Sequence, residues 1–223
     1  MGFDFNYMLG LMPILLKYLH ITLEMATLGL VFSLVLSVLV ANIRVFKIPV
    51  LDQLSQLYIS FFRGTPLLVQ LFLFYYGLPQ IMPAFVGLDA FTAAVIGLTL
   101  HFAAYMAESI RAAIIGVDKS QMEASLSVGM TTSQAMRRVI LPQATRIAFP
   151  SLMNYYIDMI KSTSLAFTLG VAEMMAKAQM EASSSFRFFE SFLAVALIYW
   201  AVVLVLTRIQ SWAEKQLNKA YVS

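Results

Sequence analysis

Met25-Ala-Thr-Leu-Gly-Leu-Val-Phe-Ser-Leu-Val-Leu-Ser-Val-Leu-Val-Ala-Asn-Ile43 is a stretch of 19 residues with no Asp, Glu, Lys or Arg. A helix rises about 1.5 Å per residue, so this length nearly matches the roughly 30 Å hydrocarbon layer of a bilayer. Working outward, Gly64 to Leu88, Ala90 to Ala107 and Ser191 to Thr207 are also free of charge, and Ile147 to Ala166 is interrupted by Asp158 and Lys161. The spacing predicts an all-α polytopic membrane protein with five transmembrane helices, over 21–43, 54–78, 89–112, 143–166 and 188–208. Pro79, Pro83, Gly87 and Asp89 mark the turn between the second and third. No basic segment precedes the first stretch and no small-residue cleavage site follows it, so it reads as a crossing rather than a signal peptide.

Composition agrees. Of 223 residues, 60% are hydrophobic and 12% charged, against about 45–50% and about 25% in an ordinary soluble domain. Too little polar surface remains to keep such a chain dispersed in water. The net charge of +3 reflects few acids rather than a basic patch, which sets nucleic-acid binding aside. With no cysteine, a disulfide framework and a thiolate site are excluded. His20 and His101 are far apart with no ligand spacing around them.

Orientation follows from the cations. With the N-terminus outside, the inner segments hold Arg44, Lys47, Arg111, Lys119, Arg137, Arg138, Arg146, Arg208, Lys215 and Lys219, and the outer ones hold only Lys17, Lys177 and Arg187. Positive charge concentrates on the cytoplasmic side, so the sequence predicts the N-terminus outside and the C-terminus in the cytoplasm.

The predicted inner loop at about 116–142 is too long for a bare connector. Glu123 to Val128 reads as a short helix with an acid near its positive dipole end. Gly129 supplies the left-handed stop, and Thr131 with Gln134 matches a capping box for a second helix limited by Pro142. Two readings remain for this loop. Glu123, Ala124 and Ser125 make a narrow surface suited to a groove on another protein, or the loop lies on lipid headgroups with Arg137 and Arg138 against phosphates.

The loop resembles the EAA loop of ABC importer membrane subunits, whose pattern is Glu-Ala-Ala, three residues, Gly, nine residues, Ile, one residue, Leu-Pro. Glu123, Ala124, Gly129, Leu141 and Pro142 fall at that spacing, with Ser125 in place of the second Ala and Val139 in place of Ile. Phe62-Arg-Gly-Thr-Pro-Leu-Leu-Val-Gln70, Tyr75-Tyr-Gly-Leu-Pro79, Ala104-Tyr-Met-Ala-Glu-Ser-Ile-Arg-Ala112 and Lys161-Ser-Thr-Ser-Leu165 are similar to the polar amino acid branch, with overall likeness to cystine permeases. The resemblance implies a single type I (MetI-like) ABC transmembrane domain over 1–223 in the bacterial inner membrane. It also implies a second permease copy or paralogue, two cytoplasmic ABC ATPases and an extracytoplasmic amino acid binding protein. The chain would not itself be an enzyme: it has no phosphate loop of the G-x-x-x-x-G-K-[ST] type, and ATP and Mg would sit on the ATPases, with no cofactor on this chain. The alternative is a secondary amino acid transporter or channel subunit, although no inverted repeat is visible.

An ionisable residue inside a crossing is a functional hypothesis by default. The predicted fourth crossing offers Asn154, Asp158 and Lys161, with Asn154 and Asp158 on one face and Asp158 within pairing distance of Lys161. Asp158 or Asn154 would meet a substrate ammonium, with Thr163 and Ser164 offering hydroxyls or open backbone near its carboxylate. In the opposing reading Asp158 and Lys161 only neutralise one another. Arg63 in Arg63-Gly64-Thr65-Pro66 either attracts a carboxylate or bonds carbonyls loosened at a bend. Glu108 and Arg111 read as an interfacial pair. Val171 to Ser185 reads as an outer helix exposing Glu173, Lys177 and Glu181.

Overall fold

Apolar length decides which segments become the long helices. The computed structural model describes residues 2–219, so Met1 and residues 220–223 of the predicted domain lie outside it. Among the described residues there are helices and turns but no strand. The order is α1 (Phe5–Leu16), α2 (Leu19–Phe46), α3 (Leu51–Gly64), α4 (Leu67–Phe72), α5 (Leu78–Ile81), α6 (Ala90–Ile115), α7 (Lys119–Ser127), α8 (Thr132–Ala135), α9 (Leu141–Ser162), α10 (Met174–Ser185) and α11 (Phe188–Asn218). π-helical turns at Leu73–Gly77 and Met136–Ile140 join α4 to α5 and α8 to α9, and the 3-10 segment Thr163–Leu169 extends α9. Among the described residues three helices, α2, α6 and α11, are each long and apolar enough to cross a bilayer.

The predicted second crossing is not one straight rod. α3 and the Leu67–Ile81 segment meet at 111°, and Pro66 explains the break. It has no N–H, so the Phe62 carbonyl four residues back loses its helical donor, and its ring forces Thr65 into an extended conformation (φ −121°, ψ 147°). Gln70 substitutes for the missing donor. Its Nε2 donates to the Phe62 carbonyl at 3.0 Å, the Thr65 carbonyl at 3.1 Å and Thr65 Oγ1 at 2.8 Å. Its Oε1 can only accept, so His101 Nδ1, 3.0 Å away, carries the proton.

Small residues let the long helices approach. α2 buries Ala26, Gly29, Ser33, Ser37 and Ala41, and α6 buries Ala93, Ala94, Gly97, Ala103, Ala104 and Ala107. In lipid, where apolar side chains gain little by leaving their surroundings, such close backbone packing is what holds helices together. Ser33 Oγ donates to the Thr99 carbonyl at 3.0 Å across this contact. A Cβ on Gly97 would lie 2.5 Å from Leu71 Cδ2, so any larger residue would have to displace the Leu71 side chain where α4 seats against α6. The fourth predicted crossing is α9 with its 3-10 extension. It is less apolar than the others, and it packs against α2, α6 and α11.

The N-terminal residues, which fall outside every predicted crossing, form α1. Asp4 caps it, accepting from Tyr7 N at 2.9 Å, and Arg187 grips Asp4 at 2.6 Å. Leu11 and Leu15 pack with Met174, Ala178, Ala194 and Ile198 into a second core that joins α1, α10 and α11.

Candidate functional site

The 116–142 loop is built by three caps. Asp118 accepts from Ser120 N at 2.9 Å and starts α7; this bond holds its carboxyl below the usual carboxylate range. At the other end Gly129 adopts φ +85°, and Met130 N reaches back to the Ser125 carbonyl at 3.1 Å, the six-to-one bond of a Schellman stop. Thr131 and Gln134 then form the reciprocal box, with Gln134 N donating to Thr131 Oγ1 at 3.2 Å and Thr131 N to Gln134 Oε1 at 2.9 Å. The loop is therefore a capped helix–turn–helix.

Glu123 and Ala124 are exposed on α7, and Glu123 has no ion pair or hydrogen bond among the described residues. Ser125, which the sequence grouped with them, turns the other way. It is 5% exposed and donates to the Gln121 carbonyl at 2.7 Å. Leu126 and Val128 complete an exposed apolar edge. Gln143, near the start of α9, donates to Gln121 Oε1 at 3.3 Å and to the Val139 carbonyl at 3.0 Å, tying α7 to α9. Leu141 and Pro142 are exposed where the π-helical turn passes into α9. These bonds connect α7 to a membrane helix.

On α9, Asn154, Asp158 and Lys161 form an exposed polar stripe. Asp158 Oδ1 and Lys161 Nζ are 2.6 Å apart, and each side chain is about half exposed. Asn154 Oδ1 accepts from Gln210 Nε2 at 3.2 Å, and Gln210 also donates to Glu214 at 2.9 Å, a clasp between α9 and α11. Thr163 is fully buried and donates to the Ile160 carbonyl at 2.7 Å; Ser164 donates to the Lys161 carbonyl at 2.6 Å. Both O–H groups are occupied by the helix end, so neither is free to donate to a carboxylate. Arg63 is exposed, with its guanidinium 5.4 Å from the Tyr105 ring centroid. It lies on the α3 side of the bend, on an element separate from the α9 stripe.

Two clusters go beyond what the sequence offered. Glu108 does pair with Arg111, at 2.8 Å, but Arg44 also approaches Glu108 at 3.8 Å and binds Asp52 at 2.6 Å, so four charges link α2, α3 and α6. Glu173 is not exposed as the sequence suggested. It is completely buried, capping α10 through Ala176 N at 2.7 Å and accepting from Tyr199 at 3.3 Å and Thr22 at 3.5 Å. Burial pushes its carboxyl above the usual range. Lys177 and Glu181 pair with each other at 2.7 Å.

A bundle of apolar helices with a capped helix–turn–helix between α6 and α9 is the architecture of one class of transport subunit. The model of the binding-protein-dependent transport system inner membrane component family matches residues 33–219, and the chain belongs to that family. A probable amino-acid ABC transporter permease, PatM of Vibrio harveyi, is 86% identical over the whole of both chains. The L-cystine transport system permease TcyL of Bacillus subtilis is 42% identical over 98% of this chain and 93% of that protein. Among solved structures, an amino acid ABC transporter crystallised with histidines superposes with a TM-score of 0.90 at 36% identity, over 97% of this chain and all of that one. An inward-facing MetNI methionine ABC transporter shares the fold, with a TM-score of 0.77 at 18% identity over 93% and 98% of the two chains. Permease subunits of this family are not themselves enzymes.

Proposed function

We propose that this chain is the membrane permease of an ATP-driven importer for a polar amino acid, supplied by an extracytoplasmic binding protein. The observation that carries this reading is α7: a short helix fixed at both ends, with an unpaired Glu123 on its exposed face and a direct bond from Gln121 to α9. Two cytoplasmic ATPases would each receive one such helix, and ATP with its Mg would stay on them. The N-terminus faces outside and the C-terminus the cytoplasm, as the distribution of cations favours. The Asn154–Asp158–Lys161 stripe supports pairing with a second copy or a paralogue. Polar groups are costly against hydrocarbon, so the stripe calls for a second subunit and a polar path beside it.

Within that path Asp158 is the residue for the substrate ammonium, with Asn154 beside it. Lys161 neutralises Asp158 when the site is empty and is free to meet the substrate carboxylate when Asp158 is engaged. Cystine is a candidate substrate, because two L-cystine permeases of Bacillus subtilis are 42% and 40% identical to this chain. The test is co-purification with the ATPase, followed by amino-acid-stimulated ATP hydrolysis. Glu123→Lys should release the ATPase, and Asp158→Asn should retain it but lose stimulation. Normal stimulation in Asp158→Asn removes the substrate role, and an ATPase still bound to Glu123→Lys removes the docking role.

A further inference from the structure

A furrow between α2, α6 and α9 takes no part in the reading above. Its long portion is apolar, walled by Leu34, Val38, Ile114 and Leu152. Through Asn42 and Leu141 it joins a cavity of about 670 Å³ bordered by Phe46, Thr132, Ser133 and Arg137. From Leu34 to Phe46 α2 advances about 18 Å, close to the roughly 15 Å depth of hydrocarbon in one leaflet. The furrow therefore begins near mid-membrane and ends where headgroups lie.

Its polar end is equipped for an anion. Arg137 has no ion-pair or hydrogen-bond partner among the described residues, and the Thr132 and Ser133 hydroxyls make no bond there either. Arg138, its neighbour in sequence, does not line the furrow. A guanidinium and two hydroxyls at the mouth of an apolar slot one leaflet deep match a phosphodiester carrying acyl chains, and basic pockets between membrane helices recognise such headgroups. A second protein chain would instead have to bring both a long apolar ridge and a carboxylate placed for Arg137.

We infer that this furrow binds an anionic phospholipid, with its acyl chains along α2, α6 and α9 and its phosphate held by Arg137, Thr132 and Ser133. The inference rests on the proposed orientation only in assigning the lipid to the cytoplasmic leaflet. Occupancy would brace the far side of the π-helical turn that joins α8 to α9, so the lipid would stiffen the same lever that α7 drives.

The test uses the full chain, titrated with phosphatidylglycerol or phosphatidylcholine and read by native mass spectrometry. The expected result is preferential retention of phosphatidylglycerol. Arg137→Gln should weaken that retention about five-fold, the factor expected for one basic side chain at an anionic surface, while Arg138→Gln leaves it unchanged. Equal retention of the two lipids, or wild-type retention in Arg137→Gln, overturns the assignment. A second readout places a tryptophan in the furrow with Val38→Trp. The added fluorescence should be quenched more by brominated phosphatidylglycerol than by brominated phosphatidylcholine, and Arg137→Gln should abolish the difference. No quenching at that position would mean that protein covers the furrow, which also overturns the assignment. Neither measurement involves an ATPase or an amino acid, so its failure is separate from failure of the importer reading.

Discussion

Replacing Gln70 with leucine should cost this protein more than almost any other single polar-to-apolar change. Gln70 is 1% exposed and joins four partners: the Phe62 and Thr65 carbonyls, Thr65 Oγ1 and His101 Nδ1. The amide has two N–H donors to share among the first three, so at the average of about 0.6 kcal/mol for a hydrogen bond between membrane helices, two lost donations and the His101 bond give roughly 2 kcal/mol as a floor. The Phe62 carbonyl raises that figure, because Pro66 offers it no alternative donor, and an orphaned buried acceptor adds about 1–3 kcal/mol. The expected loss is about 3–5 kcal/mol. Gln70→Glu is the informative partner, since it keeps the volume and the acceptor for His101 but removes both amide N–H donors. The assay is thermal unfolding in detergent followed by intrinsic fluorescence, together with amino acid uptake in vesicles. Both variants should melt well below wild type and lose transport, because the 111° bend is no longer fixed. A Gln70→Leu protein with an unchanged melting temperature would refute the idea that Gln70 holds the break in place of the absent Pro66 N–H.

Other expectations follow from single contacts. Gly129→Val should unwind the end of α7, since a β-branched residue resists a φ of +85°; the measurable result is weaker ATPase retention with the membrane bundle still folded. Thr131→Ala removes one arm of the capping box and should destabilise α8 by about 1 kcal/mol, seen as faster amide exchange across 131–136. Glu173 has a folded-state pKa raised by burial, so its stabilising contribution is complete below the unfolded carboxylate value of about 4.3 and falls as pH rises through the folded value. Glu173→Gln, which can still accept from Ala176 N, should flatten this alkaline loss in a melting-temperature series from pH 4 to 8; an unchanged pH profile contradicts it. Asp4→Asn should loosen α1 from α11 by weakening its bond to Arg187, detected as increased protease cleavage near residue 17.

Local signals in the sequence foretold local structure. Gly129, Thr131 and Gln134 specify caps within a few residues of themselves, and these caps form. The three charge-free stretches that became α2, α6 and α11 needed only hydropathy and length. The break in the second crossing was half legible: Pro66 marks where a helix loses a donor, but the compensating group, Gln70, is known only once the bend brings its side chain back onto Phe62. The four-charge cluster was hidden for a similar reason. Helical periodicity pairs Glu108 with Arg111, whereas Arg44 and Asp52 arrive from α2 and α3. Glu173 misled because a Glu–Lys–Glu series at spacing four looks like a solvated face, and burial by Thr22 and Tyr199 depends on residues 151 and 26 positions away. α1 is too short to register as a crossing, although Asp4 ahead of an apolar run is an N-cap signal.

The proposed import cycle requires α7 to receive its force from a separate ATPase. The most direct measurement is amino acid uptake into sealed vesicles holding the purified permease, with and without the ATPase and ATP, for wild type and Glu123→Lys. Accumulation against a gradient is expected only for wild type with both ATPase and ATP present; accumulation by the permease alone, or by Glu123→Lys at the wild-type rate, would contradict the requirement for a separate ATPase.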